Sequence, residues 1–244
     1  MIVDKPILGE DTYLDPLFAD GLVGYWLFNE GSGNKVVDIS GNGYTGTIEG
    51  NISWDSGKFG SCLNSPGQAA DRLTCSTWKQ LSNHTIILFV KLDTIPAWVT
   101  ANEQRIVCAI LYGADRGILI SITDNQSQTT GIISYITGNA GTFHNLNSST
   151  ALVINTWYMI VVSWDGITKR IYINGIEDNS VASTQAVGVF DYQRFITDDT
   201  AGFDGKASYI MIYDHALFAS EITLLYQEPF WGFKQRDSGI YTRI

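Results

Sequence analysis

Short apolar runs with a period of two recur along this 244-residue chain, set apart by glycine, asparagine and aspartate. In residues 86–92, Ile86, Leu88, Val90 and Leu92 fall on one face and Ile87, Phe89 and Lys91 on the other. Residues 106–111, 117–122 and 131–137 carry a similar pattern. GLVGYWLF, residues 21–28, is apolar on both faces, as a strand covered on two sides must be. The clearest ladder is WYMIVVSWDGITKRIYINGI, residues 157–176. Within it Asp165-Gly166 sits in a short connection, and Asn174-Gly175 signals a type I′ hairpin because both residues tolerate positive φ. Many short strands with turn signals between them predict an all-β fold, an antiparallel two-sheet β-sandwich or jelly roll. One short C-terminal helix is predicted in FASEITLLYQEP, where Ile222, Leu225 and Tyr226 share a stripe and Pro229 ends it.

The organisation that follows is an extended N-terminal arm over residues 1–20, a sandwich domain over 21–226 and a C-terminal tail over 227–244. The arm carries Pro6 and Pro16 without a steady period, and the tail is aromatic, then polar. A chain of this length can bury a core without disulfide or metal. Cys62, Cys75 and Cys108 cannot all pair and form no CxxC, so they read as buried free thiols. The formal charge of −10, with no basic stripe, repels phosphate and sulfate. That argues against nucleic acid, sulfated glycans and anionic membranes as partners. No apolar run reaches the ~18 residues of a membrane span. The opening MIVDKP has neither the basic region nor the apolar stretch of an export signal. The sequons at Asn51, Asn83, Asn125 and Asn147 therefore read as polar loop chemistry rather than glycosylation sites.

Five stretches, in order, resemble a laminin-G-like jelly roll of the concanavalin A-like lectin/glucanase superfamily. They are GLVGYWLFNEGSG (21–33), DISGNGYTGTIEG (38–50), SGKFGSCL (56–63), TWYMIVVSWDG with RIYINGI, and FDGKASYIMIYDHALFASEITLLY (203–226). The resemblance implies two antiparallel sheets packed face to face, carbohydrate or protein partners, and in many members a bound calcium ion. On this pattern Asp38, Asn42 and Asp204 would supply calcium oxygens, a chemistry that wants six to eight of them. The alternative for SGNG is a strained turn where only glycine and asparagine accept positive φ. Ser208 and Tyr209 stand where the family often has an acidic pair, which weakens the calcium reading. Phe218 stands where the family usually caps its helix with serine, so Phe218 is expected to be buried or to serve a contact outside the domain.

The glucanases of the superfamily carry a Glu-x-Asp-x-x-Glu arrangement, whose spacing sets two carboxylates beside one sugar bond. Here Glu177 and Asp178 are adjacent and diverge, as do Asp198 and Asp199, while Glu103 stands alone. His84, His144 and His215 are isolated, and no hydrolase, zinc or nucleotide motif is present. The expectation is a protein that is not an enzyme. Trp26, Phe28, Phe89 and Trp164 sit within strands and read as core. Aromatics in expected loops are better ligand-binding candidates: Trp98, Phe143 with His144, and Tyr192 with Arg194. Asn139, Asn145 and Asn147 offer amides to sugar hydroxyls. The two ends also resemble those of lectin-like proteins on tailed-phage virions. The reading this favours is a lectin-like virion surface protein, a capsid decoration or fibre-type component made in the cytoplasm. Its partners would be a glycan or capsid protein, within a homo-oligomer or larger assembly. The alternatives are an extracellular carbohydrate-binding module of a cell, with or without calcium, and a glycoside hydrolase with an unrecognised site.

Overall fold

The computed structural model describes residues 5–6, 12–68, 70–75, 81–95, 104–112, 115–125, 129–139, 141–184, 186–188, 192–196 and 202–235. In chain order the first elements are β1 (Thr12–Leu14), α1 (Pro16–Ala19), β2 (Leu22–Trp26), β3 (Lys35–Val36), β4 (Gly46–Glu49), β5 (Ser53–Gly57) and β6 (Gly60–Pro66). Then come β7 (Arg72–Cys75), β8 (His84–Leu92), β9 (Gln104–Tyr112), β10 (Asp115–Asn125), β11 (Thr129–Asn139) and β12 (Thr142–Ala151). The rest are β13 (Trp157–Trp164), β14 (Thr168–Ile173), β15 (Ile176–Ala182), β16 (Tyr192–Phe195), β17 (Asp204–Tyr213), α2 (Ala219–Gln227) and β18 (Phe233–Gln235).

Two antiparallel sheets pack face to face. The front sheet runs β12-β11-β10-β9-β16-β7-β4-β3, and the back sheet β15-β14-β13-β8-β17-β6-β5 with β2 paired to β17. Asn174 and Gly175 take positive φ, 52° and 82°, in the predicted hairpin. The period of two explains the packing. Ile86, Leu88 and Val90 of β8 and Ile160 and Val162 of β13 meet Ile118, Ile120, Ile133 and Tyr135 between the sheets. Their alternates, Ile87, Phe89, Met159 and Val161, enter a second apolar layer with Phe18, Ile222, Leu225 and Phe230. The back sheet is thus covered on both faces, which is why its strands read as continuous apolar runs.

The cover comes from the two ends of the chain. β1 pairs with β18, Thr12 opposite Gln235 and Leu14 opposite Phe233. The Phe18 ring meets Trp231 edge-on at 5.2 Å, and Tyr213 donates its hydroxyl to the Phe18 carbonyl at 3.1 Å. Cys62, Cys75 and Cys108 are free and buried. Along one side of the sandwich, β12 and β15 are tied together. The Asp178 carboxylate accepts the N–H groups of Ser149 (2.6 Å) and Thr150 (3.1 Å), and Asn179 donates to the Asn147 carbonyl at 2.9 Å. Those bonds blunt two exposed sheet edges.

Two short helices are described where the pattern predicted one. Asp15 accepts the Leu17 N–H at 2.9 Å and Pro16 opens α1, where a missing N–H costs nothing. Phe218, expected to be buried if it made no outside contact, is 76 % exposed at the start of α2. Glu221 supplies the cap instead, its carboxylate accepting the Phe218 N–H at 2.7 Å from the first turn, where negative charge suits the helix dipole. Glu221→Ala is expected to lower stability by about 1 kcal/mol. An unchanged urea midpoint would show that this cap is idle.

Candidate functional site

The face of the front sheet turned away from the core is the candidate. Val36, Ile48, Leu73, Cys75, Phe195, Ile118 and Leu146 point inward, so the residues alternating with them point out. Register aligns one outward row across all eight strands. From β12 it runs Asn145, Ile136 and Leu119, crosses β9, and continues as Arg194, Thr74, Thr47 and Lys35. A neighbouring row sets Asn147 opposite Ser134 and Ser134 opposite Ser121. Leu119 and Ser121 have no exposure and Thr74 Oγ1 is buried, so among the described residues the exposed ground of this face lies toward its edges, at Phe143 and Asn145 of β12 and at Lys35 of β3.

On the β12 side the surface is neutral and polar around one aromatic ring. Phe143 is 48 % exposed, and Asn145 is exposed on the same face. Ser134 donates to Asn145 Oδ1 at 2.8 Å, and Asn145 donates on to Asn147 Oδ1 at 3.0 Å. The chain fixes which amide groups remain for a ligand. Beneath it, the fully buried Lys169 reaches from β14 and donates to the carbonyls of Tyr135 (2.9 Å) and His144 (2.7 Å). Its ammonium also sits 4.0 Å from the centre of the Tyr135 ring. His84 Nε2 lies 2.6 Å from the Tyr135 hydroxyl. Burial pulls the Lys169 ammonium down to about 7 and the His84 imidazole down to about 4.

The structure separates residues that the sequence groups. Phe143 and His144 are neighbours on a strand and so face opposite ways: Phe143 outward, His144 toward Ser183 Oγ, 3.4 Å from its Nδ1. NAGTFHNLN and FDYQRF, read as loops, contain strands β12 and β16. Arg194 is half-buried on the outward face. The Tyr192 side chain and all of Trp98 lie outside the described residues. Lys35, Thr47 and Thr74 were not singled out from the sequence; strands of two to four residues give too little pattern to reveal them.

The calcium set does not come together. Asp38 Oδ1 accepts N–H groups from Tyr25 (3.0 Å) and Ser40 (2.9 Å). Its Oδ2 accepts the Ser40 hydroxyl and the Tyr44 N–H, each at 2.9 Å. Asn42 turns its amide nitrogen to the Leu22 and Val23 carbonyls, on the wall of a pocket of about 150 Å³. Asp204 instead accepts from Thr94 at 2.6 Å, at the opposite end of β17 from the Ile210–Trp26–Asp38 pairing. Among the described residues no cluster of three or more His, Cys, Asp or Glu could hold a metal. These donors do not fit a shared calcium ion; with φ of 93° at Gly41 and 80° at Gly43, the loop is built as a turn.

Residues 66–223, well over half of the chain, match the family model of the concanavalin A-like lectin/glucanases superfamily. The chain belongs to this superfamily. No curated protein sequence matches it. Among solved structures it is similar to domain 4 of AbnA, a GH43 extracellular arabinanase from Geobacillus stearothermophilus, in complex with arabinotriose. The TM-score is 0.65 at 18 % identity, over 89 % of this chain and 100 % of that one. The binding domain of Paraclostridial Mosquitocidal Protein 1 gives 0.68 at 14 % identity, over 85 % and 52 %. The binding domain of Botulinum Neurotoxin DC in complex with SialylT gives 0.66 at 13 % identity, over 86 % and 52 %. The chain therefore spans about half the length of those toxin domains. At such identities the likeness is one of fold, and within a concanavalin A-like sandwich the function lies in the site.

Proposed function

We propose that the protein is a non-enzymatic, lectin-like recognition domain that binds glycan on the outward face of its front sheet. The observation that carries this is the β12 surface, where an exposed aromatic ring stands beside asparagine amides already oriented by a hydrogen-bond chain. Sugar recognition uses that combination: an apolar face for C–H surface and fixed polar groups for hydroxyls. The complexes of similar structures with arabinotriose and with SialylT support the choice of ligand class. The carboxylates of the glucanase question have other tasks. Asp178 holds backbone N–H groups, and Glu177 lies 3.8 Å from Arg170; Glu103, Asp198 and Asp199 lie outside the described residues. On a glycan array and by calorimetry, Phe143→Ala and Asn145→Ala should each weaken binding about tenfold, near the loss of one well-placed contact. Binding untouched by both would remove the site.

The setting we propose is the surface of a virus particle, in an assembly with capsid protein or with further copies of the chain. It is supported by the position of the layer built from the two ends. That layer lies behind the back sheet, opposite the glycan face, and carries exposed Leu17 (82 %) and Phe218 (76 %). One side could then dock while the other is displayed. Particles purified with the protein attached, and released by Leu17→Asp with Phe218→Asp, would support this; a free monomeric form beside protein-free particles would favour a carbohydrate-binding module of a cell. Release of reducing sugar, lost on changing one carboxylate, would favour the hydrolase.

A further inference from the structure

We propose that Asn42 is a self-modifying position, where the side-chain amide is lost to water and the glycine-rich loop acquires a carboxylate. The inference is independent of the glycan reading. Two Asn-Gly pairs occur in the chain, Asn42-Gly43 and Asn174-Gly175. Asparagine before glycine is the pair most open to this reaction, because no side chain on the second residue shields its nitrogen. The glycine amide nitrogen bonds to the asparagine Cγ, and its proton passes through solvent to the departing nitrogen. The Cγ–Nδ2 bond breaks and ammonia leaves. Water then opens the cyclic imide, so the net change is amide plus water to carboxylic acid plus ammonia.

The fold treats the two pairs differently. Residues 41–43 are exposed, and a Cβ placed on Gly41 or Gly43 would meet nothing within 4 Å. Among the described residues the Gly43 N–H donates to no acceptor, and Asn42 Oδ1 accepts from no donor. The nucleophile and the carbonyl it attacks are therefore both open to solvent. Asn174 is held from two sides. Its N–H donates to the Met159 carbonyl at 2.9 Å, and its Oδ1 accepts the Met159 N–H at 3.0 Å. Gly175 is buried against α2: a Cβ there would lie 2.9 Å from Tyr226, and its carbonyl accepts the Thr223 hydroxyl at 2.9 Å. That hairpin must open before its imide can form.

The consequence follows from what the amide does before it is lost. Asn42 Nδ2 donates to the Leu22 carbonyl at 2.9 Å and the Val23 carbonyl at 3.0 Å, which fastens the loop to the start of β2. A carboxylate in the same place has no proton to give and faces two carbonyl oxygens. Asp214 lines the same pocket of about 150 Å³, so the new charge also meets one of its own sign. The loop is expected to swing away from β2 at residue 42. Its other corner stays, because Asp38 still accepts from Tyr25, Ser40 and Tyr44.

The test is peptide mapping by mass spectrometry of the whole protein aged in mildly alkaline buffer, beside the same chain aged unfolded in guanidinium. In the folded sample residue 42 should convert at least about tenfold faster than residue 174, whose hairpin must first open. In guanidinium the two should convert alike. Equal rates in the folded protein, or faster loss at Asn174, would overturn the proposal. So would an Asn42 that survives folded ageing while the unfolded sample converts. Asn42→Asp makes the product without ageing and should lower the folding equilibrium constant about tenfold, near the loss of one net hydrogen bond. Aged wild type should show the same fall in urea midpoint, whereas Asn42→Gln, whose longer side chain closes the ring poorly, should hold its midpoint through ageing. A wild-type midpoint unmoved after residue 42 has converted would refute the loosening of the loop.

Discussion

Between about pH 6.5 and about pH 8.5 the unfolding free energy should climb by about 2 kcal/mol on account of Lys169 alone. In the folded protein its ammonium is sealed in the core, and among the described residues no carboxylate contacts it; burial therefore pulls it from 10.5 to about 7. A neutral amine still has two N–H donors for the carbonyls of Tyr135 and His144, so losing a proton preserves both contacts. The unfolded lysine keeps its proton until about 10.4, so in this window the unfolded state binds more protons and stability rises with pH. Below about 7 both states are protonated and the burial cost is carried in full. Lys5, also buried and pulled to about 7, adds a slope of the same sign. His84, held down to about 4, removes further stability as pH falls from its ordinary range toward that value. Above about 9 the gain is opposed, because burial pushes Cys62 up to about 11 and Cys75 and Cys108 higher still, while unfolded thiols ionise near 8.5. Urea unfolding across the window, with Lys169→Met flattening the wild-type rise by about 2 kcal/mol, is the measurement. A flat wild-type profile would refute the assignment even if the variant does not fold, and so would a Lys169→Met profile as steep as the wild type.

The sandwich was legible where strands are long and covered on two sides. β8 and β13 show their period plainly because each alternate residue must be apolar for one layer or the other. What the sequence leaves open is which layer: nothing local marks Phe89 for the outer cover rather than the space between the sheets, since that depends on where the chain's ends return. β12 was hidden for the opposite reason. As an edge strand it buries Leu146 and Ser148 on one side and shows Phe143, Asn145 and Asn147 on the other, so its composition is that of a loop. The amides were recognised as ligand partners, whereas the alternation that parts Phe143 from His144 was not. The line from Lys35 to Arg194 is less legible still, because its members come from four separate strands and only register makes them neighbours.

Replacing Asp38 with alanine should cost about 3–5 kcal/mol, as breaking several hydrogen bonds to one buried charge does. Asp38 is 8 % exposed, and each of its oxygens accepts two hydrogen bonds. Those bonds join three things: the N–H of Tyr25 in β2, the Ser40 corner, and Tyr44, whose carbonyl in turn accepts the Trp26 indole N–H at 2.9 Å. Without the carboxylate, three backbone donors lose their acceptor and the fully buried Trp26 loses the anchor of its polar end. Asp38→Asn separates charge from shape, since its amide can accept at one atom only and must turn a donor toward an N–H; it should recover less than half of the loss. A chelator supplies the independent measurement. If the glycine-rich loop is a turn held by the protein's own N–H groups, EDTA leaves the urea midpoint of the wild type where it was. If Asp38 instead served a metal, EDTA would lower that midpoint in the wild type and have no effect in Asp38→Ala, because a site lost with its ligand has nothing further to give up. The two explanations of one aspartate therefore part on a single pair of curves.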